Sequence, residues 1–293
     1  MEAKSGLRIF NGAIAIITGG ASGIGRAMAE DLARRGAQVV IADLQEELAQ
    51  SVASGITAAG GKATAMKVDV TDGPALHHLI GKTASQFGRL DYLFNNAGIV
   101  INGTIQQLVG EDWDRILNIN LRSVVHGVNA ALPIMLSQGF GHIVNTGSLS
   151  GLLPFPSMIA YATTKHAVVG LSKSLRVEVG FMGVRVSVLC PGFIKTPLLQ
   201  GGGKFGKSYS QLSPETAERL RAKLNPMPPE QFAQKALDGV AKNKAIIVGR
   251  RDWQMAWRLH GLLPVWSMKL MGRVYKRRLI RLGLWSKGNG ISR

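Results

Sequence analysis

Along most of this chain, short apolar runs of strand length alternate with longer segments of helical period. This alternation limits the possible folds more than any other feature. The runs are Ala13–Thr18, Gln38–Ala42, Ala63–Val68, Leu90–Asn95, His142–Thr146, Val184–Leu189 and Ala245–Val248. Between them lie the helix-like segments Ile24–Arg35, Leu44–Ala59, Pro74–Phe87, Asp112–Leu136, Tyr161–Val179 and Glu230–Ala241. Near-continuous apolar strands are what a parallel sheet covered on both faces requires. Seven strands without an internal repeat predict an α/β fold with a doubly wound, parallel, Rossmann-like sheet. One domain is expected over residues 1–249, with 250–293 as a C-terminal extension.

Two segments interrupt the rhythm. Residues 195–229 are rich in Gly, Ser, Lys and Pro, including Gly201-Gly202-Gly203 and Pro226-Met227-Pro228-Pro229. They follow the sixth strand, where such a sheet places ligands, and are read as a mobile substrate lid. The second interruption is the extension. Of the net charge of +17, residues 250–293 carry +10, from eleven Lys/Arg against Asp252 alone. The charge therefore says little about the catalytic body. With 46% hydrophobic residues the chain can bury a sizeable core, which argues against disorder. Met1 to Phe10 is short, mixed and polar, so no secretory leader is expected. The one cysteine, Cys190, fits a reducing cytoplasm, and its plain reading is a buried thiol. One cysteine and six scattered histidines offer no zinc site, and no metal is expected.

The first strand runs into Thr18-Gly19-Gly20-Ala21-Ser22-Gly23-Ile24-Gly25, and a helix begins there. Glycines at 19, 23 and 25 allow a tight turn, close approach of backbone to a pyrophosphate, and close helix–strand packing. The helix N-terminus adds free N–H groups and a positive dipole end. The second strand ends in Asp43, eighteen residues past Gly25. An acid there can accept both hydroxyls of an adenosine ribose and repels a 2′-phosphate. With Leu44 next and no adjacent arginine, NAD is favoured over NADP. Asp43 can equally cap the following helix. Asp69 can accept from an adenine amino group or serve as a cap. Asn95-Asn96-Ala97-Gly98 closes the fourth strand. Its small residues would admit the adenosine half, while Asn95 can bond to neighbouring strands.

Tyr161-Ala162-Thr163-Thr164-Lys165 places a phenol and an ammonium one helical turn apart on one face. A tyrosine of ordinary pKa, about 10, is a poor base near neutrality. A nearby ammonium, with the positive ring of NAD⁺, is expected to favour the phenolate and suit Tyr161 to acid/base exchange with an alcohol or carbonyl. Ser148, thirteen residues upstream and just past the fifth strand, can hold the carbonyl oxygen.

These motifs, in this order and spacing from Asn11 to about Gly249, resemble the short-chain dehydrogenase/reductase family. The resemblance implies an NAD(H)-dependent oxidoreductase interconverting alcohol and ketone or aldehyde. Tyr161 would exchange the proton, Lys165 would lower its pKa and bind the nicotinamide ribose, and Ser148 would orient the substrate. Asn120, in Asn118-Ile119-Asn120-Leu121, would hold a water linking Lys165 to solvent. Pro191, Gly192 and Thr196 would border the carboxamide. With them the expected NAD contacts are Thr18, Gly19, Ser22, Gly23, Ile24, Gly25, Asp43, Asp69, Val70, Asn96, Ala97, Gly98, Tyr161, Lys165 and Ile194. A homodimer or homotetramer is implied by resemblance only. An NAD-using epimerase or dehydratase of the same fold, and a catalytically silent NAD-binding module at a membrane, stay open as alternatives.

Between Ser148 and Tyr161 the chain is mostly apolar. Leu149, Phe155 and Met158 are expected to meet the substrate, with Leu198 from the lid. An apolar wall favours a steroid, retinoid, terpenoid or long-chain alcohol, unless these side chains form a subunit interface. In the extension, Trp253, Trp257, Trp266 and Trp285 mix with leucines and with Lys276-Arg277-Arg278, but no stretch reaches spanning length. Such a segment suits peripheral contact with an anionic membrane, or it folds over the active site or a neighbouring subunit. Nothing suggests nucleic-acid binding, since the charge lies on no recognition helix or stacking sheet.

Overall fold

A computed structural model describes residues 6–200, 204–210, 212–282, 284–286 and 290–291, and gives the backbone alone for Trp285, Ser286, Gly290 and Ile291. Gly201-Gly202-Gly203 and the side chain of Trp285 lie outside the described residues.

Seven strands form the central sheet: β1 (Ile14–Thr18), β2 (Gln38–Asp43), β3 (Lys62–Lys67), β4 (Tyr92–Asn95), β6 (Gly141–Thr146), β7 (Val184–Cys190) and β9 (Ile246–Val248). Two-residue strands β5 (Ile101–Asn102) and β8 (Lys207–Ser208) pair beside it, and β10 (Trp285–Ser286) pairs with β11 (Gly290–Ile291) near the end. The main sheet is parallel throughout, in the order β3-β2-β1-β4-β6-β7-β9. The order reverses direction between β1 and β4, so the carboxyl ends of these two strands open the crevice where such sheets take ligands.

The helices are α1 (Gly23–Arg34), α2 (Glu46–Ala58), α3 (Gly73–Phe87), α4 (Gly110–Leu117), α5 (Ser123–Gln138), α6 (Ile159–Val179), α7 (Pro214–Ala222), α8 (Pro229–Ala241), α9 (Arg251–Leu262) and α10 (Pro264–Arg281). α1 packs on α8 and α2, while α3 packs on α5. β1, β4 and β6 are buried along their whole length, which is why β1 and β4 are mostly apolar without alternation, while β6 brings His142, Asn145 and Thr146 into the interior. Polar side chains that enter this interior find partners, as Asn95 Nδ2 donates to Asn145 Oδ1 (2.9 Å) and Asn145 Nδ2 to Ser172 Oγ (3.0 Å). His142, however, is bonded only through Nε2, to Ser187 Oγ, and its Nδ1 is left without a partner among the described residues.

The single helix expected over Asp112–Leu136 is instead α4, a π turn over Asn118–Arg122, and α5. The wider turn is a local insertion into the helical ladder, and it carries the buried Asn120. Helix α2 starts at Glu46, two residues later than expected, because Asp43 holds the connecting turn.

The segment 195–229 is closed at its base. Ile194 and Met227 form a parallel bridge, with Lys195 N–H to Met227 O and Met227 N–H to Phe193 O, each 2.9 Å. Beyond the base it carries β8 and α7. Among the described residues no helix is long and apolar enough to cross a membrane.

Candidate active site

The glycine turn is shaped by contacts that leave no room for a side chain. A Cβ on Gly25 would lie 2.1 Å from Gly19 O, and one on Gly19 would lie 2.8 Å from Ala97 Cα. Gly23 has φ +54° and faces Thr196 across the crevice. Thr18 ties the turn to the β4 end, because its Oγ1 accepts from Asn96 N–H (3.0 Å) and Ala97 N–H (3.1 Å). Asn96 Nδ2 returns to Thr18 O and Gly19 O. Ser22 is the N-cap of α1, in extended backbone and without a side-chain capping bond. The N–H groups opening α1 are thereby presented to the crevice.

Asp43 ends β2 and is buried. One oxygen accepts from Ala21 N–H and the other from Gln45 N–H, both at 3.0 Å. The capping alternative does not hold, since the N-cap of α2 is Gln45; the Asp43 carboxylate instead braces the glycine turn and the turn leading into α2 together. Each oxygen retains a lone pair for a further hydroxyl donor. Asp69 is exposed and turns onto Thr71, accepting from its N–H (2.8 Å) and Oγ1 (2.7 Å). It does not cap α3; Asp72 does, accepting from Ala75 N–H at 2.9 Å. Val70 packs half-buried against the core.

Ser148, Tyr161 and Lys165 come together at the carboxyl ends of β6 and β7. Lys165 Nζ donates to Thr146 O (2.8 Å) and lies 5.6 Å from the Tyr161 ring centroid. Ser148 Oγ accepts from Ser150 N–H (3.1 Å), donates weakly to Pro191 O (3.4 Å), and lies near enough to Tyr161 to favour its phenolate. Gly98 opens room for this group, since a Cβ there would meet Asn120 Oδ1 at 3.2 Å and Lys165 Nζ at 3.5 Å.

Without the cofactor, burial opposes the activation expected of the phenol, and the role expected of Asn120 is narrowed. Burial dominates the phenol and pushes Tyr161 up to about 12, with Ser148 pulling the other way and the nearby Cys190 adding to the rise. Burial likewise lowers Lys165 to about 8. Both groups are desolvated in one pocket, so the protein alone favours a neutral phenol and does not make it acidic. Asn120 is the narrowed case. Its Oδ1 accepts from Ile99 N–H (2.8 Å), and its Nδ2 donates to Ile99 O (2.9 Å) and Thr164 Oγ1 (3.2 Å). With both N–H groups engaged, the side chain fixes the segment after β4 against α6. Within the side chain, only the second lone pair of Oδ1 is left for a water.

Over Ser148 and Tyr161 opens a cavity of about 660 Å³. Leu149, Phe155, Met158 and Leu198 line it, as do Ile24, Pro191, Gly192, Ile194 and Thr196. Its far wall comes from the extension, for which the sequence leaves the active site as one destination among three. Leu270, Met271, Val274, Tyr275, Arg278 and Leu279 of α10 line it, and Tyr275 Oη is 2.8 Å from Ser157 Oγ. The signal for this wall is the pair of i, i+4 series 270/274/278 and 271/275/279, which put these residues on one helical face. The extension is fastened near the nicotinamide end expected at Pro191-Gly192. The Trp253 ring packs on Gly192, where a Cβ would stand 2.7 Å from it, with the Arg250 guanidinium 4.8 Å from the ring centroid. Tyr209, from the 195–229 segment, donates to Asp112 Oδ2 (2.6 Å), and Lys207 Nζ reaches Asp112 Oδ1 (2.9 Å), which pins β8 beside the cavity. Asn102 Oδ1 is buried in this wall without a hydrogen-bond partner. Among the described residues there is no cluster of three His, Cys, Asp or Glu suited to a metal.

Comparison with known proteins agrees with this architecture. The profile of the family described as short chain dehydrogenase matches residues 13–204. Cyclohexanol dehydrogenase of Acinetobacter sp. (strain SE19) is 40% identical over 192 residues, covering 65% of this chain and 76% of that protein. The 3beta-hydroxysteroid dehydrogenase of Mediterraneibacter gnavus is 38% identical over 192 residues, 65% of this chain and 69% of that protein. A short-chain dehydrogenase/reductase from Burkholderia phymatum, solved in complex with NAD, superposes with a TM-score of 0.78 at 30% identity. The match covers 90% of this chain and 97% of that one. With its glycine turn, its parallel sheet and its Ser148–Tyr161–Lys165 group in one crevice, this chain belongs to the short-chain dehydrogenase/reductase family of oxidoreductases.

Proposed function

We propose that the protein is an NAD(H)-dependent dehydrogenase/ketoreductase that interconverts a hydrophobic secondary alcohol and its ketone. The observation that carries this reading is the placement of Tyr161 and Ser148 on the floor of a cavity whose walls are mostly apolar. Such walls suit a steroid, retinoid, terpenoid or long-chain alcohol over a sugar.

The crevice fits a dinucleotide. The Gly19–Ala97 and Gly25–Gly19 contacts leave bare backbone where a pyrophosphate would approach, at the start of α1. The Asp43 carboxylate at the β2 end has lone pairs for ribose hydroxyls and disfavours a 2′-phosphate, which supports NAD over NADP. NAD(H), when bound, supplies or accepts the hydride, and its oxidised ring brings a positive charge beside Tyr161.

The protein's own part is positional and protonic. In reduction, the neutral Tyr161 hydroxyl gives its proton to the carbonyl oxygen while Ser148 Oγ donates a second hydrogen bond to it. In oxidation, Tyr161 takes the hydroxyl proton back, and a protonated Lys165 stabilises the phenolate. The Thr146 carbonyl keeps the Lys165 ammonium in place. Leu149, Phe155, Met158 and Leu198 exclude water from the exchange. A cytoplasmic site of action suits the lone, buried Cys190. Homo-oligomerisation is supported by Val177 and Phe181, which stand in solvent at the end of α6 and just beyond it.

The test is a screen of hydrophobic secondary alcohols for NAD⁺ and NADP⁺ reduction, run on the parent and on Tyr161→Phe. Turnover with NAD⁺ should fall at least about a thousandfold in the variant, while NAD⁺ binding by fluorescence titration survives. A Phe variant that retains turnover would sink the assignment of Tyr161, and a parent that prefers NADP⁺ would sink that of Asp43.

A further inference from the structure

The hairpin of α9 and α10 has two unlike faces. The inner face belongs to the body: Trp253 is buried against Gly192, Trp257 packs on the core, and Met271, Tyr275 and Leu279 line the cavity. The turn between the helices is fixed by Ser267, whose Oγ donates to Pro264 O (2.9 Å). With its proton so used, the same oxygen accepts from His260 Nδ1–H, 2.6 Å away.

The outer face is exposed and apolar at the turn. Leu262 is 79% exposed, Val265 59%, Trp266 51% and Leu263 50%, with Met255 and Met268 extending the patch along the two helices. Exposed cations stand behind it: Arg258 on α9 and Lys269 on α10 lie about one turn from the tip, with Arg251, Arg273 and Arg277 farther back along the two helices. The extension as a whole carries a net +10. An exposed apolar tip backed by cations along both helices matches an anionic bilayer in both respects, with side chains for the acyl boundary and charge for the headgroups.

Resting on the reading of the cavity as a site for a hydrophobic alcohol, we propose that the α9–α10 tip docks on an anionic lipid bilayer. Docking there sets the helix that walls the cavity against the phase in which such an alcohol dissolves, so substrate reaches Tyr161 from the lipid.

The full-length protein is sedimented with vesicles of phosphatidylcholine and phosphatidylglycerol in equal parts, and with pure phosphatidylcholine vesicles, at low salt. The protein should pellet with the anionic vesicles only. The double variant Leu262→Glu/Trp266→Glu should partition on the order of a hundredfold more weakly, because two side chains no longer enter the boundary. The same variant should turn over a water-soluble secondary alcohol as the parent does, but lose about tenfold or more on a long-chain alcohol carried in the vesicles. Parent protein left in the supernatant overturns the proposal, as does a double variant that pellets normally. A variant that changes oligomeric state by light scattering without any vesicle binding assigns the tip to a second copy, and also overturns it. Equal turnover of vesicle-borne alcohol by both proteins overturns the delivery route. Because pelleting is read without turnover, vesicle binding by an inactive parent would sink the catalytic reading and leave docking standing.

Discussion

On one side of the cavity, Asn96, Asn120 and Lys165 each direct polar atoms at main-chain groups, and Gly19, Gly25 and Gly98 bring chain segments into close contact. On the other, α10 contributes leucine, methionine and valine, tied down by the Tyr275–Ser157 bond, while Asp112 holds β8. Asn102 leaves a buried oxygen unpartnered there. The contrast teaches where precision is needed. A proton and a hydride must be placed within a fraction of an ångström, and only directional bonds and close backbone contact do that. An apolar ligand needs volume and desolvation, which side chains without directional bonds supply.

The largest expected effect on this contrast comes from joining the two walls wrongly. Gly192→Val would drive a side chain into the Trp253 ring and should destabilise the protein by about 3 kcal/mol. Limited proteolysis should then release the extension first; unchanged thermal stability would mean that Trp253 does not anchor it. Next comes the lysine. Its folded pKa near 8 lies below the ordinary 10.5, so between those values the unfolded chain binds the extra proton. Stability therefore rises with pH across that window, and the parent should gain on Lys165→Met by up to about 3 kcal/mol from pH 8 to 10.5. Denaturant melts at several pH values read this directly, and a pH-independent difference would show that the ammonium is not desolvated. Tyr161, raised to about 12, has the opposite sign and costs stability only above pH 10.

Asp43→Ala leaves the N–H groups of Ala21 and Gln45 without their acceptor and should cost about 2 kcal/mol. The KM for NAD⁺ should rise and the discrimination against NADP⁺ should fall. The smallest effect belongs to the substrate wall: Tyr275→Phe removes one partly buried hydroxyl bond, worth about 1 kcal/mol. It should raise KM for a bulky alcohol severalfold and leave kcat unchanged. A large loss of kcat would mean that the two walls are less independent than described.

The rigid wall is readable in the sequence because its signals are local. The Thr18–Gly25 turn, the Asp43 strand end and the Tyr161/Lys165 spacing each lie within one strand–helix junction or one helical turn. The π turn at Asn118–Arg122 is not readable, since apolar periodicity continues through it from α4 into α5. β5 and β8, at two residues each, are too short to leave a pattern. The inner face of α10 is visible as a stripe, but its destination depends on a tertiary contact, Trp253 on Gly192, that no local period encodes. The direction of the Tyr161 shift escapes the sequence for a related reason: spacing reveals the neighbouring charge but not the depth of burial, and burial dominates.

The bridge between Ile194 and Met227 has an evolutionary corollary. A loop whose two feet are fastened to each other transmits little of its own length to the sheet beneath it, and its closure entropy grows only with the logarithm of its size. Insertions and deletions between those feet therefore cost little stability. Diversification of what such a scaffold accepts should accumulate there, leaving the proton-handling floor untouched.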